Sequence, residues 1–223
     1  MSPTHHLTDE TLQDYAAGSL DAPMETLVAC HLTMCARCRA RSIFADAIGG
    51  SLLEDHDAAP VRVTAAEVLA RAVVEGRTKM PRTPPEPVSA SSQASDDVPR
   101  PLGRLLPTRL DGLNWRRVAP GIRQYNLDDR HRRDGAFKLL HLAPGVTLSD
   151  HGHRDRELTY VVRGSYTDEM GRFRAGDIAD LDDQNSHCPV VDRDGPCIAL
   201  IATQSPVRFS GVLGRIMQPF VGI

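Results

Sequence analysis

Apolar positions recur at helical spacing in the first third of the chain and at strand spacing in its second half. Leu12, Tyr15 and Ala16 form a one-sided stripe, opened by Thr8 with Asp9 and Glu10 and closed by Gly18. Asp21 is placed to cap a second helix with Pro23 in its first turn, running through Leu27, Val28 and His31. A third helix is expected over roughly 36–53, with Ile43, Phe44, Ala47 and Ile48 on one face. Thr64-Ala65-Ala66-Glu67 is a capping box, and it opens a fourth helix with Val68, Leu69, Ala72 and Val73 as its apolar stripe. No segment of period two occurs in this part.

From about residue 108 onward, short β-type runs alternate with turn residues: 124–127, 136–142, 158–162, 177–181 and 198–202. Many short strands at regular spacing predict a sandwich or barrel. Between the two patterns lies a stretch rich in Pro, Ser, Ala and Asp, including Pro81, Pro84, Pro85, Pro87, Pro99 and Pro101. It carries too few large apolar residues to offset its ordering entropy. The expected organisation is therefore multidomain α + β: a small helical bundle over 1–76, a flexible Pro/Ser-rich linker over 77–107, and a β-barrel over 108–223.

Composition narrows the chemistry. The formal net charge of −3 gives no global basic field, so no direct grip on nucleic acid is expected. The first residues lack the basic start and apolar core of a secretory signal. No apolar run is long enough to span a bilayer. A cytoplasmic protein without membrane contact is the expectation. There thiols stay reduced, and the cysteines Cys30, Cys35, Cys38, Cys188 and Cys197, odd in number with three in one short stretch, point to metal chemistry rather than to a disulfide framework.

The first constellation is His31-x3-Cys35-x2-Cys38. On a helix, positions i, i+4 and i+7 share one face. Three such donors and a fourth from elsewhere meet the demand of a closed tetrahedral zinc site. His5 and His6 both stand at the start of the first helix and are the candidates for the fourth. A zinc there would pin helix one to the corner of helices two and three, a large gain for a module of modest core. A Cys-x2-Cys redox site would need a βαβ context, which is missing. Cys30 is out of phase and reads as a small buried hydrophobe.

The second constellation is His151-x-His153-x3-Glu157, flanked by Gly145 and Gly164, with His187 eleven residues beyond Gly176. Positions 151, 153 and 157 differ by even numbers, so on one continuous strand they would project into a barrel interior together. Three imidazoles and a carboxylate suit zinc or another divalent transition metal such as iron, manganese or nickel. Buried without a metal they would be a costly polar cluster.

These residues carry a resemblance. The first constellation, in a short helical module, is similar to the zinc anti-sigma domain, whose first histidine maps onto His6 here. The second is similar to the two motifs of the cupin family, a jelly-roll barrel, although Arg174 and Ala175 stand where many cupins have a proline-containing turn. Taken together the chain resembles the ChrR-type cupin anti-sigma factors along nearly its whole length. The stretches that match are His5-His6, Tyr15 to Gly18, His31 to Arg41, Gly49 to Leu52, His151 to Glu157 and Gln218-Pro219-Phe220. The resemblance implies a regulator and not an enzyme: the helical module binds and inhibits an extracytoplasmic-function sigma factor, and the cupin serves its release under singlet oxygen or organic hydroperoxide stress. It implies zinc on His6, His31, Cys35 and Cys38, and a metal on His151, His153, Glu157 and His187. The rival reading is a dioxygenase-like cupin metalloenzyme with an accessory zinc module, for which no further acid/base pair or substrate-anchoring pattern is visible.

Overall fold

The helices follow their caps. α1 (Asp9–Ala16) starts where Thr8 Oγ1 accepts the Thr11 N–H at 3.2 Å. α2 (Ala22–Met34) starts where Asp21 accepts the Met24 N–H at 3.0 Å. α3 (Ala36–Glu54) follows α2 after one residue, and α4 (Ala65–Val74) opens on the expected box, with the Thr64 N–H on Glu67 Oε2 at 2.7 Å and the Glu67 N–H on Thr64 Oγ1 at 3.3 Å. The computed structural model describes residues 2–57, 63–74, 98–127, 135–148, 151–152, 156–181, 186–204 and 208–209.

The segment expected as linker does not run unstructured to residue 107. A short helix, α5 (Arg100–Gly103), lies within it and packs on α2, with Leu102 fully buried. A single 3-10 turn at Leu110–Gly112 then leads into the strands.

Those strands are β1 (Arg116–Ala119), β2 (Ile122–Asn126), β3 (Ala136–Leu142), β4 (His151–Gly152), β5 (Glu157–Arg163), β6 (Ser165–Asp168), β7 (Gly171–Arg174), β8 (Ile178–Leu181), β9 (Ser186–His187), β10 (Val190–Val191), β11 (Cys197–Thr203) and β12 (Arg208–Phe209). The largest sheet has the order β1-β2-β3-β11-β5-β8. Two small sheets, β10-β6-β7 and β12-β4-β9, complete the β-domain. Every pairing is antiparallel, as a jelly-roll barrel requires. Gly164 joins β5 to β6 at φ +78, and a Cβ there would stand 2.2 Å from the Pro196 carbonyl oxygen, so only glycine fits this turn.

The central strands are buried on both faces, which no half-solvated sheet would be. One face, with Leu140, Leu142, Val161, Leu181 and Ile201, packs on Tyr166 and Phe173 to fill the barrel. The other, with Leu139, Leu158, Tyr160, Ile178, Ile198 and Leu200, shares one core with Leu12, Met24, Leu27 and Val28 of the helices. The helical module is thus seated on the outside of the barrel. Ion pairs tie the seam: Arg156, at the entry to β5, reaches Asp14 at 2.6 Å and Glu10 at 2.8 Å on α1.

Candidate metal centres

Cys35 ends α2 and begins α3. Its backbone is extended (φ −96, ψ 101), its N–H still bonds the His31 carbonyl at 2.9 Å, and its Sγ accepts the Cys38 N–H at 3.4 Å. Sulfur is therefore the N-cap of α3. The break expected between helices two and three falls at Cys35: the 31–35–38 spacing converges because the chain turns a corner there, with His31 on the last turn of one helix and Cys38 on the first turn of the next. His6, in the extended stretch before α1, closes the group. Its Nδ1 is 3.3 Å from Cys35 Sγ and 3.7 Å from Cys38 Sγ.

The donor atoms of His6, His31, Cys35 and Cys38 all lie within 4.8 Å of one another. Bond lengths of about 2.0 Å to nitrogen and 2.3 Å to sulfur put the ligands of a tetrahedral zinc ~3.3–3.8 Å apart, so this group has room for one ion. The protonation states fit as well. A carbonyl can only accept, so His31 Nδ1 donates to the Gly176 carbonyl at 2.9 Å, and the lone pair is on Nε2. That Nε2 is buried and has no hydrogen-bond partner, an orphan that a metal would satisfy. Burial, and secondarily Arg37, lowers the His6 pKa; burial also lowers that of His31, against the pull of the Gly176 carbonyl. Burial pushes the Cys38 thiol up to about 11, so without a cation this pocket holds a thiol, and a cation would have to displace its proton.

His5 lies outside the group. Its ring stacks on Phe173 at 3.8 Å between centroids, and its Nδ1 is 3.5 Å from Asp177 Oδ2. Cys30 is buried apart from the other thiols and raised to about 12 by desolvation, as a core residue would be.

In the barrel the continuous-strand expectation is corrected. His151 and Glu157 lie on different strands of different sheets: β4 pairs with β9 and β12, whereas β5 pairs with β11 and β8. The backbone register sets His151 directly opposite His187, a juxtaposition that even spacing along one strand would not need. His153 lies outside the described residues. Glu157 is buried at the barrel end of β5, facing Leu181 and Thr203 across the ladder, and Thr159 Oγ1 donates to its Oε1 at 3.1 Å. His187 is buried, and its Nδ1 donates to Asp168 Oδ2 at 3.1 Å, which fixes the ring's orientation. Lys138 and Asp168 were not singled out from the sequence. Lys138 is buried on the interior face, its amine pushed down to about 8 by burial and by Arg116, with Glu157 opposing. Alternation along β3 could have placed Lys138 inward, since it shares parity with Leu140 and Leu142. Nothing in the sequence pairs Asp168 with His187.

The comparisons with known proteins bear on both halves. Residues 106–206 match the ChrR cupin-like domain. Over all 223 residues the chain is 38% identical to the anti-sigma-E factor ChrR of Cereibacter sphaeroides, covering 100% of each chain. The chain belongs to the ChrR family. The structure of Rhodobacter sphaeroides SigE in complex with the anti-sigma ChrR is matched at a TM-score of 0.72 and 36% identity, covering 91% of this chain and 100% of that one. The fold class, helices followed by a cupin-like antiparallel β-domain, is that of this family.

One further feature of this ChrR-family chain is a large uncovered apolar surface. α3 buries only Cys38 and Ser42, near its start. Beyond them Ile43, Phe44, Ile48, Leu52 and Leu53 face outward, with Phe44 at 68% and Leu53 at 76% exposure, and Val68 and Leu69 of α4 are exposed too. A monomer rarely leaves so much apolar surface in water. Among the described residues no helix is long and apolar enough to cross a membrane.

Proposed function

We propose that this chain is a cytoplasmic anti-sigma factor that binds an extracytoplasmic-function sigma factor through the apolar faces of α3 and α4 and thereby inhibits it. The observation that carries the proposal is the exposure of Ile43, Phe44, Ile48, Leu52 and Leu53 on a helix whose first turn is part of the four-donor corner. The ChrR of Rhodobacter sphaeroides is held in complex with SigE, and burial against a partner is how such exposed apolar surface is normally covered. Zinc bound by His6, His31, Cys35 and Cys38 staples α1 to the α2–α3 corner and so presents α3 at a defined angle.

The barrel, in this reading, carries a second divalent transition metal on His151, His153, Glu157 and His187 and serves release of the sigma factor under oxidative stress. The module, the connecting segment and the barrel act as domains near the boundaries 1–76, 77–107 and 108–223, with α5 belonging to the packed part. The protein is a regulator and not an enzyme.

The test is co-purification of the full-length tagged chain from cells containing the native sigma factors. Stoichiometric recovery of one sigma factor, lost in Cys35→Ala/Cys38→Ala, is the expected result. A double variant that retained full affinity would overturn the zinc-presented surface. His151→Ala and Glu157→Ala should spare inhibition and blunt release by hydroperoxide.

A further inference from the structure

The four-donor corner of the helical module has part of its wall built by the barrel. β7 ends at Arg174, and the chain reverses through Gly176 (φ +96) into β8. Asp177, 2% exposed, locks that turn by accepting the Arg174 N–H on Oδ2 at 2.8 Å. The same carboxylate also receives the N-terminal strap. Its Oδ1 accepts the Thr4 N–H at 2.5 Å and the His5 N–H at 3.0 Å, and the Thr4 hydroxyl lies 3.3 Å from Oδ2. Phe173 holds the strap from one side, stacked on His5 at 3.8 Å and on Tyr166 at 4.8 Å. The next residue along the strap is His6.

The residue before Asp177 holds the other histidine. The Gly176 carbonyl takes the His31 Nδ1–H at 2.9 Å and so sets both its tautomer and its ring plane. A Cβ on Gly176 would meet the Met34 side chain and Pro3 at 3.4 Å, so α2 and the strap both press on this turn. Two consecutive barrel residues thus position two of the four donors, His6 through the main chain beside it and His31 through its ring. His6 itself sits in no helix or strand that could hold it otherwise.

We infer that the Gly176–Asp177 turn of the barrel is the outer shell of the metal site in the helical module, so that the module keeps its metal tightly only while the barrel is docked. This rests on the reading that a metal sits among His6, His31, Cys35 and Cys38. Outer-shell partners of ligating histidines govern affinity by roughly ten- to hundred-fold. The coupling is reciprocal: metal in the corner favours docking as docking favours metal. It also supplies a route from barrel to sigma-facing surface that bypasses the connecting segment. Withdrawal of the turn loosens the corner from which α3 springs.

The experiment uses the full chain loaded with cobalt(II). A thiolate-to-cobalt charge-transfer band reports this site alone, because the barrel's candidate ligands include no thiolate. Decay of the band is followed after adding excess chelator to wild type, Asp177→Asn, His5→Ala and, as a control on β2, Arg123→Ala. The expected result is loss ten- to hundred-fold faster in Asp177→Asn and His5→Ala, and unchanged in the control. If the wild type shows no thiolate–cobalt band, the reading of the corner as a metal site fails. If the wild type shows the band and both variants lose it at the wild-type rate, the outer-shell inference fails. His5→Ala removes a side chain of the strap only, so it decides the matter even if Asp177→Asn does not fold.

Discussion

Lys138 gives the structure a pH dependence that can be worked through. Its amine lies in the barrel interior, 3% exposed, and burial with the nearby Arg116 pulls its pKa from 10.5 to about 8. In the unfolded chain it titrates near its ordinary value. Between about pH 8 and 10.5 the unfolded state therefore holds a proton that the folded state has released. Stability rises with pH wherever the unfolded state binds more protons, so this lysine costs stability below pH 8 and relinquishes the cost as pH climbs through the window. One pKa unit corresponds to about 1.36 kcal/mol, so the whole window amounts to ~3 kcal/mol and the stretch from pH 8 to 9.5 to about 2 kcal/mol. The assay is urea unfolding of wild type and Lys138→Met at half-unit steps over that range. Shifts from the buried thiols, Cys30 and Cys197, both raised to about 12 by burial, are common to both proteins and cancel in the difference. Wild type should gain about 2 kcal/mol on the variant across the range. Two curves that stay parallel to within about 0.5 kcal/mol would mean that the amine keeps its proton through this range, and its burial away from water would be wrong.

Other predictions address the joint, the surface and the barrel site. Leu102→Ala, at a fully buried position between α5 and α2, should destabilise the folded chain by about 3 kcal/mol in the same urea assay; a loss under about 1 kcal/mol would mean that α5 is not part of the core. Phe44→Asp should leave the melting temperature unchanged yet weaken sigma-factor binding by ~2 kcal/mol or more by calorimetry, since a burial-driven hot spot is lost; unaltered affinity would move the contact off α3. Asp168→Asn, which removes the carboxylate behind His187, should lower barrel metal content ten- to hundred-fold by competition with a chelator, and equal retention would exclude that histidine as a ligand.

Much of the local structure was legible from residue types. Thr8, Asp21 and the Thr64/Glu67 pair act within three residues of themselves, so their caps can be read without knowing the fold. The same holds for the four-donor corner in outline, because three of its donors fall within eight residues. Spacing alone left the geometry of that short span open. Spacing of four and seven fits one helical face, but it fits equally a corner at which the middle cysteine caps the next helix. Even spacing at 151, 153 and 157 raised the same ambiguity, and there the two ends belong to different sheets.

The double-sided burial of β5 and β11 shows how sequence and tertiary structure divide the work. Runs such as Leu158 to Val162 and Ile198 to Ala202 are apolar on both faces, which announces strands with no solvent side. The runs themselves do not say what covers the second face. It is covered by α2, through contacts between residues more than a hundred positions apart, and only assembly of the whole chain makes them. The pairings of His31 with Gly176, of Asp177 with the strap, of Asp168 with His187 and of Lys138 with the interior are of the same kind. The sequence by itself determined which residues could form helices, strands and metal donors, because those propensities are local properties of side chain and spacing. The tertiary structure alone decided which donors meet, which of two adjacent histidines joins the corner, and that Gly176 and Asp177 of the barrel bond His31 and the strap beside His6. Such choices rest on contacts distant in the chain, and no local pattern encodes them.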